Sequence, residues 1–453
     1  MNTYMKPKIY LIMVLLASVH VVVKGQETEP LNYKLSLKAA IDYALTHQTA
    51  VLNAVVDEEM ARNKVKETVG IGLPQVSASY NFQDFLKLPT TLLPGEFSNP
   101  PSDTPIPVKF GTKFNSTAGI ELSQLIFDGS YIVGLQASKT YKELSVRNSR
   151  RTRIETATAV TKAYYSALVS TEQLGLIDAN LVQLSKSLND TEALFKNGFA
   201  EKIDVDRLQV LKNNLETERE NVTRLLELNI NMLKFQMGMP IQAELALTDQ
   251  IKDIRAEQVS LGVADTTAYK GRVEYALLET QQKLNELDFK RQKSTFLPSL
   301  RGFASASKNF QSDEFSKHFD NRFPTSVIGF TLSWNLINGG QRIYQMRNAK
   351  LTIKKTENDM LNLKNGIAQE VSANQKLYLN SKRSVENQER NLALAKEILR
   401  VTRIKYEQGV GSSLEVTTAE TSLKEAQNNY IKALYDLLIT KVDLDKAAGR
   451  INY

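Results

Sequence analysis

Apolar residues recur along this chain in two rhythms. The first has a period of seven. Val160, Ala167, Leu174, Leu181, Leu188 and Phe195 are answered 211 residues later by Val371, Tyr378, Val385, Leu392, Leu399 and Tyr406. Near the end, Val416, Ala419, Leu423, Ala426, Tyr430, Ala433, Leu437, Thr440, Leu444 and Ala447 alternate steps of three and four. That is the seam of helices packed as coiled coils. Small or polar residues fill the neighbouring register (Ala163, Ser170, Asn374, Ser381), which lets helices approach on two sides, as a sheet of helices requires. No proline falls between Val108 and Met239, or between Thr325 and Tyr453, so the helices run long. Tyr131–Lys196 predicts a rod of ~100 Å, Ile203–Gln236 one of ~50 Å and Leu37–Thr68 one of ~45 Å.

The second rhythm has a period of two. Val76, Ala78, Tyr80 and Phe82 alternate with Gln75, Ser77, Ser79 and Asn81. Ile328, Phe330, Leu332, Trp334 and Leu336 alternate with Gly329, Thr331, Ser333 and Asn335. Ile120, Leu122 and Ile126 carry the same pattern, interrupted by Gln124, and the strand after Pro298 has no cleanly apolar face. Such strands put one face in water and the other in a core or in lipid. Alternation alone fits half-buried strands of a soluble sheet as well as a barrel wall.

The two rhythms occur in the same order twice. IELSQLIFDGS at Ile120–Ser130 returns as FTLSWNLINGG at Phe330–Gly340, and LFKNGFAEKIDV at Leu194–Val205 as KYEQGVGSSLEV at Lys405–Val416. GLPQVSASYNF at Gly72–Phe82 has a looser echo at Phe296–Ala306. A period above 200 residues marks a duplicated half-molecule, not a solenoid. The first repeat is expected over 26–240, with strands about 75–88 and 117–127 and a helical hairpin at 131–237. A linker follows at 241–266. The second repeat spans 267–453, with a helix, strands about 298–308 and 326–337, and a hairpin at 341–448.

The N-terminus changes the weight of the barrel reading. Lys6 and Lys8 precede the apolar stretch Ile9–Val23, and Val23-Lys24-Gly25 offers a small-residue cleavage site. This reads as a cleaved secretory signal over 1–25, because the apolar run falls short of the ~20 residues that span a bilayer. No later segment approaches a transmembrane helix, and the chain has no cysteine, which removes disulfides and thiolate metal sites. Removal of the signal lowers the net charge from +7 to +4, with both signs interleaved along helices, so solvated faces explain the charge better than nucleic-acid binding. Four strands cannot close a membrane barrel, since these begin at about eight, so a barrel requires several copies. The loops at Pro89–Phe114 and Lys308–Pro324 would then face outward.

The duplicated order resembles the outer-membrane efflux family, the TolC-like channel-tunnels. The residues that carry the resemblance are LSLKAAIDYAL at Leu35–Leu45, Leu73-Pro74 and Leu297-Pro298, the corners Phe127–Gly129 and Ile337–Gly339, and the turns at Gly198 and Gly409. It implies a mainly α chain with a β-barrel portion: a homotrimer whose twelve-stranded barrel in the outer membrane continues into an α-helical tunnel across the periplasm. It also implies a periplasmic adaptor and an inner-membrane pump, driven by protons or ATP, as partners. The lipid face would be Tyr80, Phe82, Ile120, Leu122, Phe330, Leu332 and Trp334.

At the tips, Gly198 and Gly409 supply the positive φ that a helix turn needs, and Phe199 and Val410 beside them are the expected adaptor-docking surface. A plain C-cap is the alternative. Asp204 and Glu415 occupy matching places and would form acidic rings favouring cations, or serve as first-turn acids favoured by the helix dipole. Asp204 and Tyr406 match positions that link hairpins in the family's closed tip, whereas Gly411 stands where such members carry arginine.

His47 and His318 lie apart without acidic or thiol company, and QMGMP at Gln236–Pro240 reads as loop packing, so no metal, cofactor or catalytic site is expected. Asn115, Asn189 and Asn221 fit the glycosylation pattern without consequence in a bacterial envelope protein. No phosphate-binding loop or nucleophile elbow is present, and passive conduction rather than enzymatic activity is expected. The rival reading is a secreted coiled-coil structural or adhesive protein.

Overall fold

A computed structural model describes residues 32–97, 100–101, 103–251 and 268–453. The expected signal segment at 1–25 lies outside the described residues, as does most of the expected linker. The described residues open with β1 (Asn32–Leu35), α1 (Leu37–His47) and α2 (Thr49–Ile71). The first strand pair follows as β2 (Gln75–Asp84) and β5 (Phe114–Phe127), joined through a small ribbon of β3 (Thr90–Leu93) and β4 (Ile106–Lys109). Then come the long helix α3 (Gly129–Lys196), its return α4 (Lys202–Met237) and β6 (Glu244–Leu247). The second half runs α5 (Val273–Ser294), β7 (Ser299–Ser312), β8 (Arg322–Ser333), α6 (Gln341–Glu407) and α7 (Ser413–Ala447).

The helix expected at Leu37–Thr68 is not continuous. It divides at Gln48, whose ψ of 125° is extended. The Gln48 amide donates to the carbonyls of Phe235 and Gln236 at the end of α4 (3.2 and 3.1 Å), so the bend is a docking point. Gly238, left-handed at φ 71°, makes the approach feasible: a Cβ there would lie 2.6 Å from the His47 carbonyl oxygen. The segment at 241–266 also holds β6, which pairs in parallel with β1 and was hidden by its length of only four residues. β2 ends at Asp84 rather than near 88, and β8 runs Arg322–Ser333 rather than 326–337, because backbone pairing, not apolar alternation, fixes strand ends.

Around the middle of the rod, Ala40, Ile41 and Ala44 of α1 pack with Val160, Tyr164 and Leu168 of α3, Leu233 and Met237 of α4, and Leu434 and Leu438 of α7. Tyr164 is wholly buried, and its hydroxyl donates to the Leu35 carbonyl (3.1 Å) and the Asp249 carboxylate (3.0 Å). Burial, then the bond and charge of Asp249, drive this phenol far above its usual range. The same carboxylate accepts from Leu37 N at 2.8 Å, fixing the start of α1. Below this core α3 packs on α4 through Ile177, Leu184, Leu188, Leu208, Leu215 and Val222. α6 packs on α7 through Ala395, Leu399, Val416, Ala419 and Leu423. Above it, α2 packs on α3 and α5 packs on both long helices, taking the places of the two return helices.

β2, β5, β7 and β8 form one four-stranded antiparallel sheet in the order β2-β5-β7-β8. The long helices descend from β5 and β8, so the sheet caps the helical rod. Among the described residues the outer edges of β2 and β8 have no partner strand.

The close approach at Gly238 generates a test. Gly238→Ala is expected to lower stability by at least ~1 kcal/mol, from the left-handed φ alone, with the clash adding to it. Thermal unfolding followed by circular dichroism measures this. Gly70→Ala, in a helix with nothing within 4 Å of its would-be Cβ, is the control expected to be neutral or stabilising.

Candidate functional site

Both hairpin turns close with the same backbone device. After α3, Phe199 N donates to Leu194 O (2.8 Å) and Gly198 N to Phe195 O (3.0 Å), with Gly198 at φ 76°. After α6, Val410 N donates to Lys405 O (3.0 Å) and Gly409 N to Tyr406 O (3.0 Å), with Gly409 at φ 75°. Nothing approaches within 4 Å of either would-be Cβ, so φ and not crowding demands glycine. The next residues stand out of the turns, Phe199 at 83% and Val410 at 78% exposure, with Ile203 and Leu414 exposed beside them. Gly411 is different: its φ is ordinary, but a Cβ would sit 3.0 Å from Tyr406 N, so a larger residue requires the turn to ease by a few tenths of an ångström.

Asp204 starts α4 in a capping box, accepting from Glu201 N at 3.2 Å while the Glu201 side chain returns the bond. Its other oxygen accepts a short hydrogen bond from the Ser413 hydroxyl at the start of α7. Arg207, one turn along α4, lies 3.6 Å from that oxygen and donates to Ser413 Oγ at 3.3 Å. The two hairpins of one chain are therefore stapled at their tips, and Asp204 faces the staple with its charge balanced by Arg207. Glu415 occupies the corresponding place on α7, but Ser412 caps that helix, and the exposed Glu415 carboxylate has no partner among the described residues. The structure thus separates two acids that the sequence treats as equivalent.

Tyr406 is half-buried against the seam of α6 and α7, and its hydroxyl has no partner among the described residues. It is not bonded to Asp204. The polar link in its neighbourhood is instead Arg403, which donates to Glu420 of α7 at 2.5 Å, while the side-chain amide of Gln183 of α3 lies against the same guanidinium. The sequence does not single out Arg207, Arg403 or Glu420, because each lies beside a seam residue, where a charge reads as solvated surface. Ser413 reads only as a start to the last helix. The signal that marks the staple is an arginine one turn after Asp204, together with the serine pair that follows Gly411.

Further polar links join the hairpins above the tip. Asn180 and Gln427 exchange hydrogen bonds (2.6 and 3.4 Å), Glu218 pairs with Lys424, and Lys162 lies 2.5 Å from Asp443.

At the other end, strand register sorts the sheet into two faces. Val76, Ala78 and Tyr80 stand opposite Leu122, Ile120 and Ala118. Leu122 stands opposite Ala304, and Ala304 opposite Ile328, while Phe330 pairs with Gly302 and Leu332 with Leu300. Tyr80, Phe82, Ile120, Leu122, Phe330 and Leu332 therefore share one face, and Trp334 continues their alternation just beyond β8. These side chains are exposed in the single chain, Phe330 at 74% and Ile328 at 83%. The opposite face carries Ser77, Ser79, Asn81, Thr117, Ser305, Ser307, Asn309 and Thr325, with Glu121 among them. Among the described residues no helix is long and apolar enough to cross a membrane, and no group of side chains could hold a metal ion.

The family profile of outer membrane efflux proteins matches residues 276–450. The alkaline protease secretion protein AprF of Pseudomonas aeruginosa is 24% identical over 339 residues, covering 73% of this chain and 69% of its own. The probable efflux pump outer membrane protein TtgC of Pseudomonas putida is 22% identical over 413 residues, covering 88% and 82%. Among solved structures, CusC superposes with a TM-score of 0.74 at 16% identity, covering 92% of this chain and 93% of that one. The open-state outer membrane channel MtrE of Neisseria gonorrhoeae gives 0.72 at 18% identity, covering 91% and 88%. Residues 276–450 thus match the outer membrane efflux protein family, and the described residues share the fold of CusC and MtrE.

Proposed function

We propose that this chain is the outer-membrane channel-tunnel of an efflux or type I secretion system. It conducts passively what an inner-membrane transporter supplies, and it performs no covalent chemistry. The observation that carries this reading is the open four-stranded sheet: its two edges lack partners among the described residues and its apolar face lies bare, directly above helices of tunnel length. Three copies close those edges into a twelve-stranded barrel with the apolar face toward lipid and the hydroxyl and amide face toward the lumen. The helical hairpins then wall a tunnel through the periplasm. The relatives include both a protease secretion protein and an efflux pump component, so either cargo suits the same conduit.

The tips are the proposed gate. Phe199 and Val410, held out by Gly198 and Gly409, form the apolar surface on which a periplasmic adaptor docks. The Asp204–Ser413–Arg207 staple holds each chain's hairpins together, and Glu415 supplies the acidic ring at the narrow end. Tyr406 packs behind the staple rather than forming it. Asp204 contributes to selectivity only when the staple opens.

Purified protein in planar bilayers is expected to give a small, cation-preferring conductance; absence of any channel activity from a folded trimer would overturn the reading. Glu415→Gln is expected to weaken the preference, and unchanged reversal potentials would remove the ring. Ser413→Ala leaves Asp204 and Arg207 in place but removes the hydroxyl between them, so conductance is expected to rise; an unaltered conductance rules out the staple as a gate.

The Arg403–Glu420–Gln183 link adds a pH dependence. Burial raises the Glu420 carboxyl above its usual range, outweighing the attraction and hydrogen bond of Arg403. Arg403 of α6 faces it, with Gln183 of α3 against the same guanidinium, and Lys424, one turn along α7, is engaged by Glu218 of α4. With the folded pKa above the unfolded one, the contribution of Glu420 is full below the unfolded value of about 4.3 and is lost as pH rises through the folded value. Glu420→Gln keeps an amide oxygen for Arg403 and does not titrate. The stability of the wild type relative to Glu420→Gln, from denaturant unfolding, is therefore expected to fall as pH rises through that window; a rise would refute the assignment.

A further inference from the structure

The outer loop of the second repeat is fastened to the outside of the wall. Phe82, Ser116 and Phe310 stand side by side on β2, β5 and β7, on the sheet's apolar face. Over this row lies His318, which has no exposed surface. Its Nε2 is 2.7 Å from Ser116 Oγ, and its ring centre lies 5.6 Å from that of Phe82, 6.4 Å from those of Phe114 and Phe310, and 5.0 Å from that of Phe319. A single 3-10 turn, Phe315–Lys317, lays Phe315 edge-on against Phe82 and Phe114. The ends are tied as well: Lys113 N donates to Asp313 at 3.0 Å, and Arg322 Nε donates to Phe319 O at 3.1 Å.

The outward side of this cluster carries two exposed aromatic rings beside the exposed Glu314–Lys317 ion pair. Phe315 is 65% exposed and Phe319 is 52% exposed. Arg322, the β8 partner of Phe310, continues the row beneath the strap. Twelve residues after it, just beyond the end of β8, stands Trp334, whose indole N–H donates to Phe296 O at 3.1 Å. At ~3.4 Å per residue and a ~40° tilt, the two aromatic levels are separated by about 30 Å along the barrel axis. That matches an apolar band of ~25 Å with an aromatic girdle at each end. The bare apolar residues between the levels, Ile328, Phe330 and Leu332, make the cluster continuous with the lipid face.

We propose that Asp313–Asp320 is a strap hooked by His318 onto the outer wall, with Phe315 and Phe319 seated in the outer leaflet at the headgroup boundary. It is a membrane anchor, not a lid over the channel mouth. The mouth is left to the first repeat's loop, with its β3–β4 ribbon. This inference rests on the outer-membrane reading above.

The chain has no cysteine, so single introduced thiols give clean labelling sites. An environment-sensitive fluorophore is placed on Ser316→Cys in the strap, Ile328→Cys on the lipid face and Thr90→Cys in the first-repeat loop. The full-length protein is reconstituted in phospholipid vesicles and quenched by a lipid spin-labelled near the headgroup or by aqueous iodide. The Ser316 probe is expected to follow Ile328 in being quenched by the lipid, and Thr90 to be quenched by iodide. Lipid quenching at Ile328 with only iodide quenching at Ser316 overturns the strap alone. Lack of lipid quenching at Ile328 overturns the membrane reading and the strap with it. Loss of lipid quenching at Ser316 is expected in His318→Ala and, more weakly, in Ser116→Ala, which removes only the hydrogen bond; retention in both removes His318 as the hook.

Discussion

Backbone hydrogen bonding in hydrocarbon is the constraint on which the rest of this architecture depends. A strand edge in lipid leaves N–H and C=O groups unsatisfied at several kcal/mol each, so a sheet that enters a membrane must close. Among the described residues one chain supplies four strands to the sheet, and nothing pairs with its two outer edges. On the proposed channel reading closure comes from other copies, and the helices beneath accept the symmetry that closure imposes. Duplication eases that demand, because each copy would bring two similar hairpins to the proposed ring.

The helical part solves a different problem with small side chains. A tunnel wall has two solvated surfaces, so each helix can bury only its flanks. Ala157, Ala163 and Ala167 on α3, and Ala419, Ala426 and Ala433 on α7, let neighbouring helices close in on both flanks. The largest wholly enclosed side chain, Tyr164, sits in the middle, where α1 adds a further layer. Long charged side chains then cover the remaining faces in exposed ion pairs of small individual worth, such as Arg62 with Glu59 and Arg400 with Glu397.

Much of this was legible in the sequence, and the reason is periodicity. Val160, Ala167 and Leu188 announce their burial by spacing, and Ile120, Leu122 and Phe330 announce a shared face by alternation. Gly198 and Gly409 announce their turns because few other residues accept the left-handed region. What stayed hidden are contacts between residues far apart in the chain. Gln48 breaks a helix only because Gly238 comes up against it, and Ser413 matters only because Asp204, 209 residues away, points at it. His318 carried no signal, since its cage is assembled from three strands and a loop.

The polar links between the two hairpins run within one chain: Asp204 to Ser413, Arg403 to Gln183, Asn180 to Gln427, Glu218 to Lys424 and Lys162 to Asp443. They act as a row of rivets from tip to equator. In a three-chain tunnel such rivets turn six staves into three blades. The aperture proposed for that tunnel would then behave as a three-leaf iris, in which a push on one turn moves its riveted neighbour as well. Fewer independent parts mean fewer half-open arrangements, and a sharper passage between shut and open.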